Sequence, residues 1–509
     1  MIRTVEQYLE SLVDGREVYC LGEEVKDVRA HPTIRSIIRG SAMDYVLPHD
    51  ERCRHLFVTK DEDGEDVNFL LVAPKSADDL VRRRECFITG MRAGGGIVLH
   101  CMGIDALAAC TVAAQKMDKK LGTNYVPRVE AYRRYLQKGD IGITGAITDV
   151  KGDRGLRASR QVQHKDFYVR VVDRQKDGII VRGAKVHISA SHGANDAIVL
   201  PCRAHNDAEE KDYALAFAVP LNTKGVKLLG VEPNMRLSGA EADWDYPSSA
   251  LFQPSESLIV FDDVFVPWDR VFMCGEWEFS RDITYAFATF HRLFGSSRMT
   301  AELEILAGMA ATMAEYNGVE KHKHIRNKLA WLAMYAESVA GMSKLACLEA
   351  EHVPGSDLVV PNIMYANVAK FTFANNLHEA MKLVQDISGG IPATVPAYKD
   401  WNNPKLRPYI EKYLAAKDGV PTEDRLKMAR LVKDYCGSYQ QVANIHGEGS
   451  LAAQRMFLYF GADWEKYKAA ARRTAHIDGW QKHSIFGQLP DPYEVVEPKM
   501  PPVDKAYKL

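Results

Sequence analysis

The chain has 509 residues, 46% of them hydrophobic and 26% charged, with a formal net charge of −2. That length exceeds a single core and predicts two or three domains, and the near-neutral balance excludes the electrostatic footprint of a nucleic-acid or anionic-membrane binder. No apolar run is long enough to span a bilayer, and nine scattered cysteines without CxxC spacing point to free thiols in a reducing cytoplasm.

Residues 1–140 read as mostly helical. The opening MIRTVEQYLESLVDG patterns as an amphipathic helix rather than an export signal. Thr4 caps it, and Gln7 three residues on completes a capping box. Ser76-Ala77-Asp78-Asp79 starts a further helix. Arg92 to Gly96 breaks the pattern, and Ile97–Met117, rich in Ala, Leu and Met, reads as a buried helix carrying His100, Cys101 and Asp105. A His–Cys pair in such a setting is more often core than ligand.

Residues 141–275 switch to period-two alternation. Phe167–Val172 and Gly178–Val186 flank Asp177-Gly178, a hairpin turn signal, and Tyr213–Pro220, Val226–Leu229 and Glu256–Val266 read as further strands. Glu256 opens the last of these, either as an exposed residue or as a carboxylate at a cleft rim. Ahead of the hairpin, Thr148-Asp149-Val150-Lys151-Gly152-Asp153-Arg154 is a turn with one hydroxyl, one glycine and two cations. It reads equally as a polar sheet edge or as a cradle for an anionic ligand.

Residues 276–475 return to helix. Arg298–Tyr316, Arg326–Glu351, Asn362–Gln385 and Thr422–Asn444 predict a four-helix bundle. Between the third and fourth, Gln385-Asp386-Ile387-Ser388-Gly389-Gly390 is either a helix stop or a place where backbone approaches a ligand. Gln481–Leu509 is Pro-rich and polar, an arm or a tail, so that 476–509 forms a fourth segment. No dinucleotide fingerprint, P-loop or zinc spacing occurs.

The runs GAITDVKGDRG, DGIIVRGAKVH, VFDDVFVP, FHRLFGSS, QDISGGI and HGEGSLAAQR, in this order over residues 1 to 475, resemble 4-hydroxybutyryl-CoA dehydratase and, more distantly, the flavin-dependent 4-hydroxyphenylacetate 3-monooxygenases. The resemblance implies an α+β, acyl-CoA-dehydrogenase-like fold with an N-terminal helical domain (1–140), a central β barrel (141–275) and a C-terminal four-helix bundle (276–475). It also implies FAD and a homotetramer in which a neighbouring subunit completes each flavin site. Carried over by position, Thr148, Asp149, Lys151 and Arg154 would line the cofactor, with His187 and Ser189 on the returning strand and Gln385, Ile387, Gly389 and Gly390 approaching from the bundle.

The chain departs from both patterns. The dehydratase holds a [4Fe–4S] cluster on three Cys and one His, and those places carry Ile97, Cys101, His291 and Arg298 here. Two of four ligands are missing, which predicts no cluster and no metal. The dehydratase's Tyr, Lys and C-terminal Glu fall on Gly295, Met299 and Ala443, whereas Glu256 matches. The monooxygenases' Arg, Tyr and His around a phenol fall on Met102, Ala106 and Gly145.

A flavin, a histidine and a carboxylate remain. His291, expected near a helix start, is the base, Glu256 the acid or second base. Cys101 is a spare thiol or filler. Arg298 either polarises a carbonyl and binds a carboxylate or fills the vacated space paired with an acid. The expected activity is that of an oxidoreductase or lyase acting beside a carbonyl or thioester of a small molecule, for example a CoA ester. The alternatives are a reduced-flavin monooxygenase served by a separate flavin reductase, and a non-catalytic paralogue.

Overall fold

The computed structural model describes residues 1–94, 96, 98–231, 239–251 and 256–477. Met1–Leu458 form one compact unit, and the chain from Tyr459 belongs to a second. Ile97 and the expected tail beyond residue 477 lie outside the described residues.

Local signals fix the first helices. Helix α1 (Val5–Glu10) opens on a reciprocal capping box, with the Gln7 N–H donating to Thr4 Oγ1 at 3.3 Å and the Thr4 N–H to Gln7 Oε1 at 2.9 Å. Helix α2 (Ala77–Gly94) starts the same way from Ser76 and Asp79. Helix α3 (Met102–Leu121) is buried along most of its length and is followed by α4 (Val126–Gly139). The turn entering α3 hangs on buried Asp44, whose carboxylate accepts the backbone N–H groups of Val98, Leu99 and His100 at 3.0, 3.1 and 2.9 Å. Among the described residues the mostly helical expectation misses four short strands: β1 (Glu17–Cys20), β2 (Glu23–Glu24) and the hairpin pair Val58–Lys60 and Asp66–Asn68. Strand β1 is short and pairs in parallel with residues 227–230, so no local hairpin pattern announces it.

The central strands are β3 (Ile143–Ala146), β4 (Arg170–Arg174), β5 (Gly178–Ser189), β6 (Asp196–Val199), β7 (Leu215–Pro220), β8 (Val226–Gly230), β9 (Glu256–Pro267) and β10 (Val271–Cys274). They form a six-stranded sheet in the order β2-β1-β8-β9-β5-β4 and a four-stranded sheet in the order β10-β7-β6-β3. Val18, Val181 and Phe261 of the first share a core with Val199, Phe217 and Val271 of the second, and Phe217 meets Phe261 edge to face at 5.7 Å. The expected barrel is therefore two sheets packed face to face, because among the described residues no ladder joins their edges. The expected hairpin forms with its turn one residue earlier: the Gln175 N–H donates to the Gly178 carbonyl at 2.8 Å, so Lys176-Asp177 make the turn and Gly178 opens β5. Where β5 slips register against Ser257 and Ile259 of β9, His187 takes a φ of +62°, a bulge that turns its side chain outward.

The bundle is built from α5 (Ser280–Tyr316), α6 (Lys323–Leu348), α7 (Ile363–Ser388) and α8 (Thr422–Gly437) around Leu306, Met313, Leu332, Phe373, Leu377 and Val432. Helix α5 begins at Ser280, not Arg298, since no proline interrupts that segment. His291 accordingly lies inside a long helix rather than at a helix start. A loop through Asn444–Ser450 leads to α9 (Leu451–Gly461). In the second unit α10 (Trp464–Thr474) is solvent-facing and capped by Asp463, which accepts the Lys466 N–H at 2.9 Å. No described helix is long and apolar enough to cross a membrane.

Candidate active site

Helix α5 packs along α3, and this contact sets His291 against Asp105. The imidazole Nδ1 lies 3.0 Å from Asp105 Oδ2, and the ring is stacked between Phe287 at 4.9 Å and Phe294 at 5.4 Å. These three residues stand one helical turn apart, so one face of α5 builds the clamp. The His291 side chain keeps 13% exposure while the carboxyl of Asp105 is buried. Burial raises the Asp105 carboxyl, and the hydrogen bond from His291 offsets part of that rise. Cys101 joins the same corner but is sealed: its Sγ–H donates to the Val98 carbonyl at 3.1 Å, and burial pushes the thiol well above its ordinary range. In this environment the thiol is protonated and hydrogen-bonded, which makes it a poor nucleophile.

Two turns of α5 further on, Arg298 is engaged by acids. It pairs with Glu302 and, at 3.2 Å, with Glu448, and donates to Asn444 Oδ1 at 3.2 Å. The Asn444 amide donates to Glu302 at 2.8 Å, and fully buried Lys370 of α7 donates to the Asn444 carbonyl at 3.1 Å and faces Glu448 at 3.8 Å. Burial acts to raise the Glu448 carboxyl, but Arg298, Lys370 and His291 outweigh it and hold the group below its usual range. Burial pushes Lys370 down to about 8. Of the two expectations for Arg298, the structure places the pairing with acids: its charge is already matched, so it is no free cation for a substrate. At the place where the resemblance expects the cluster's last cysteine, the Arg298 guanidinium has no lone pair to give to iron and is paired with Glu302 and Glu448, which does not fit a four-iron cluster.

On the sheet side, Glu256 and Ser189 are cross-strand partners, and the Ser189 hydroxyl donates to the Glu256 carboxylate, 2.8 and 3.0 Å from its two oxygens. Ser189 thus positions Glu256. Asp149 is 3% exposed and accepts from Lys185 at 2.8 Å and from the Val169 N–H at 2.9 Å. Its carboxylate is spent inside the sheet, which corrects the expectation that it faces a cofactor. Thr148, half-buried, ties the turn to β5 through its carbonyl, which accepts the Val186 N–H at 2.8 Å. Lys151 and Arg154 project from the turn beside His187. Partial burial of the imidazole, with the charges of Lys151, Arg154 and His446, pushes His187 below its ordinary range. A single residue, Gly447, separates His446, beside this cationic turn, from Glu448 in the charged corner, so one loop borders both.

At the end of α7, Gln385 is exposed, Ile387 is core, and Gly389 ends the helix with φ +67°. A side chain at Gly389 or Gly390 would meet open space. Helix α7 packs on α5, α6 and α8, whereas the hairpin packs on β9 and β3, so the two halves of the expected cofactor site stand on separate elements.

The sequence reading missed Glu448 and Lys370. The resemblance puts the dehydratase's C-terminal Glu on Ala443, where this chain has no carboxylate, whereas Glu448, five residues on and inside the HGEGS run, reaches the corner. Lys370 carried no signal, being one lysine on an otherwise amphipathic helix.

A helical domain, two packed sheets and a helical bundle, with a carboxylate-held histidine in the corner, define an enzyme of the acyl-CoA-dehydrogenase-like class. The chain belongs to the 4-hydroxyphenylacetate 3-hydroxylase family: the N-terminal family signature matches residues 4–273 and the C-terminal one residues 280–476. It is 31% identical over 501 residues to the 4-hydroxybutyryl-CoA dehydratase/vinylacetyl-CoA-Delta-isomerase of Clostridium aminobutyricum, covering 94% of this chain and 100% of that one. It is 29% identical to the 4-hydroxyphenylacetate 3-monooxygenase oxygenase component of Thermus thermophilus, covering 93% and 97%. The oxygen-tolerant archaeal 4-hydroxybutyryl-CoA dehydratase of N. maritimus superposes with a TM-score of 0.87 at 31% identity over 94% of this chain and 95% of that one. The oxygenase component of 4-hydroxyphenylacetate 3-monooxygenase, solved with FAD, superposes with a TM-score of 0.83 at 26% identity over 96% and 100%.

Proposed function

We propose that the chain is an FAD-dependent enzyme that acts at the carbon beside a carbonyl or thioester of a small molecule, by dehydrogenation, isomerisation or elimination, without an iron–sulfur cluster. The observation that supports this most is the His291–Asp105 pair at 3.0 Å. An Nδ1–H donated to Asp105 leaves the Nε2 lone pair free to accept a proton from carbon. Phe287 and Phe294 fix the ring plane and keep water off its faces. Glu256, oriented by Ser189, supplies the second proton-handling group. FAD, when bound, supplies an electron acceptor beside the substrate.

Lys151, Arg154, His187 and His446 suit a diphosphate: they bring several cationic groups to one turn, and no ion pair involves them among the described residues. Thr148 shapes that turn, with Asp149 holding it from inside. Gln385, Ile387, Gly389 and Gly390 would approach the cofactor from a neighbouring subunit of a homotetramer, since one chain keeps them on a separate element.

A second reading is a reduced-flavin monooxygenase with a separate flavin reductase, which the likeness to oxygenase components favours. Against it stands position 145, where a Cβ would lie 3.0 Å from the Met102 carbonyl oxygen; a histidine there needs a shifted backbone. Mixing the flavin-loaded protein with acyl-CoA esters separates the readings. Flavin bleaching without oxygen supports the first, product formed only with reductase and oxygen supports the second, and neither leaves a non-catalytic paralogue.

A further inference from the structure

Arg292 follows His291 on α5 but meets different neighbours. Its guanidinium lies 4.0 Å from the centre of the Phe457 ring of α9, and Tyr285 stacks against that ring at 5.5 Å. Arg292 is 3% exposed, and its Nε and Nη1 are buried without a hydrogen-bond partner. A ring face satisfies the flat side of a guanidinium and none of its in-plane N–H groups.

The charges nearby do not balance. Lys370 lies close enough to Arg292 and Arg298 to feel both as repulsion. The region therefore holds three cations, against which stand Glu302 and Glu448, both engaged with Arg298. Asp105, beside the neutral imidazole of His291, faces a further buried cation, Arg83. One positive charge is left over, on Arg292. An uncompensated buried charge is costly, which marks a place where a counter-ion belongs.

Gly449 stands at the edge of the guanidinium. A Cβ on Gly449 would lie 3.6 Å from Arg292 Nη2. Gln454 of α9, fully buried, donates to the Gly449 carbonyl at 2.7 Å and so holds this loop beside Arg292. The cover is thin: Ala452, Arg455 and Met456 of α9 face solvent while Phe457 closes the roof.

We propose that Arg292, roofed by Phe457 and bordered by Gly449 and Gln454, binds a small monocarboxylate. A single uncompensated charge next to Glu448 suits a monoanion, and a dianion would meet that carboxylate. A planar guanidinium edge matches a carboxylate better than a spherical ion. Burial pushes Arg292 down to about 10 and Lys370 to about 8, the direction a bound anion would reverse.

The test titrates the full-length protein with acetate, butyrate, chloride and sulfate at constant ionic strength, by calorimetry and by thermal melting. Saturable binding of acetate or butyrate, with a rise in Tm, is expected. Arg292→Gln should weaken it about tenfold to hundredfold, the range for a charge-assisted hydrogen bond. Arg292→Lys, which keeps the charge and loses the planar fork, should fall between the two and serves if the glutamine variant does not fold. Absence of saturable carboxylate binding by the unmodified protein, equal affinity for chloride or sulfate, or unchanged affinity in the variants would overturn the assignment. Because the readout is binding, it is independent of which reaction His291 serves.

Discussion

Glu448 fills the hollow over Gly295: a Cβ built on Gly295 would lie 2.6 Å from Glu448 Cγ. The resemblance puts a tyrosine at 295 and a metal-held cysteine at 298. Here the ring has become a glycine, the thiolate an arginine, and a carboxylate from the HGEGS loop has moved in between Arg298 and Lys370. Gly295→Ala is therefore expected to displace Glu448 and cost about 1–3 kcal/mol by overpacking, measured as a lower midpoint in urea unfolding.

Asp105→Asn keeps shape and removes the charge that orients His291. Turnover is expected to fall by about 10²-fold or more, since the imidazole loses its preferred tautomer. Bound flavin should be unchanged, and the fall in kcat with an altered pH profile distinguishes orientation from simple loss of fold.

Asp149→Asn tests whether that residue serves the sheet or the cofactor. Lys185 is buried and also donates to the carbonyls of Ile147 and Leu200, at 2.9 and 2.8 Å. Removing its counter-charge is expected to cost about 3–5 kcal/mol, read by denaturant unfolding. A variant with unaltered stability and reduced flavin affinity would return Asp149 to the cofactor site.

His100 predicts a pH dependence of stability. Its ring lies 3.1 Å from Asp44 and 3.2 Å from Asp140, all three groups buried. Burial alone would lower the imidazole, but the hydrogen bonds and charges of Asp140 and Asp44 outweigh it and raise it to about 9. A pKa raised on folding stabilises fully below the unfolded value of about 6.5 and is lost as pH climbs towards 9. The unmodified protein should lose on the order of 3 kcal/mol from this group across that window, and His100→Gln should flatten the same stretch of the stability profile.

Much of the fold is legible in local signals. The capping boxes at Thr4 and Ser76, the hairpin signal at Asp177-Gly178 and the long alternation of Gly178–Ser189 act over a few residues, so the sequence displays them. Pairing between distant segments does not show in this way. Strand β1 is four residues whose partner lies far along the chain, and sheet closure depends on edges that no single segment encodes. The site follows the same division. His291, Glu256 and the Thr148–Arg154 turn are singled out by residue type and position, and the structure gives His291 and Glu256 the partners Asp105 and Ser189. Asp149, Cys101 and Arg298 are the right residues in the wrong surroundings, because their partners Lys185, Val98, Glu302 and Glu448 are set by packing. Glu448 is five residues beyond Ala443, where the resemblance puts the dehydratase's Glu, since the Asn444–Ser450 loop, not a helix register, delivers it.

The most direct measurement mixes flavin-loaded protein with short-chain acyl thioesters under strict exclusion of oxygen and follows the visible flavin absorbance, for the unmodified chain and for His291→Ala with equal flavin content. The unmodified protein should bleach with one thioester class, and His291→Ala should bleach at least 10²-fold more slowly, roughly the scale of general-base catalysis. Equal bleaching in both proteins, or turnover that appears only with a flavin reductase and oxygen, would contradict proton abstraction by His291 beside a carbonyl.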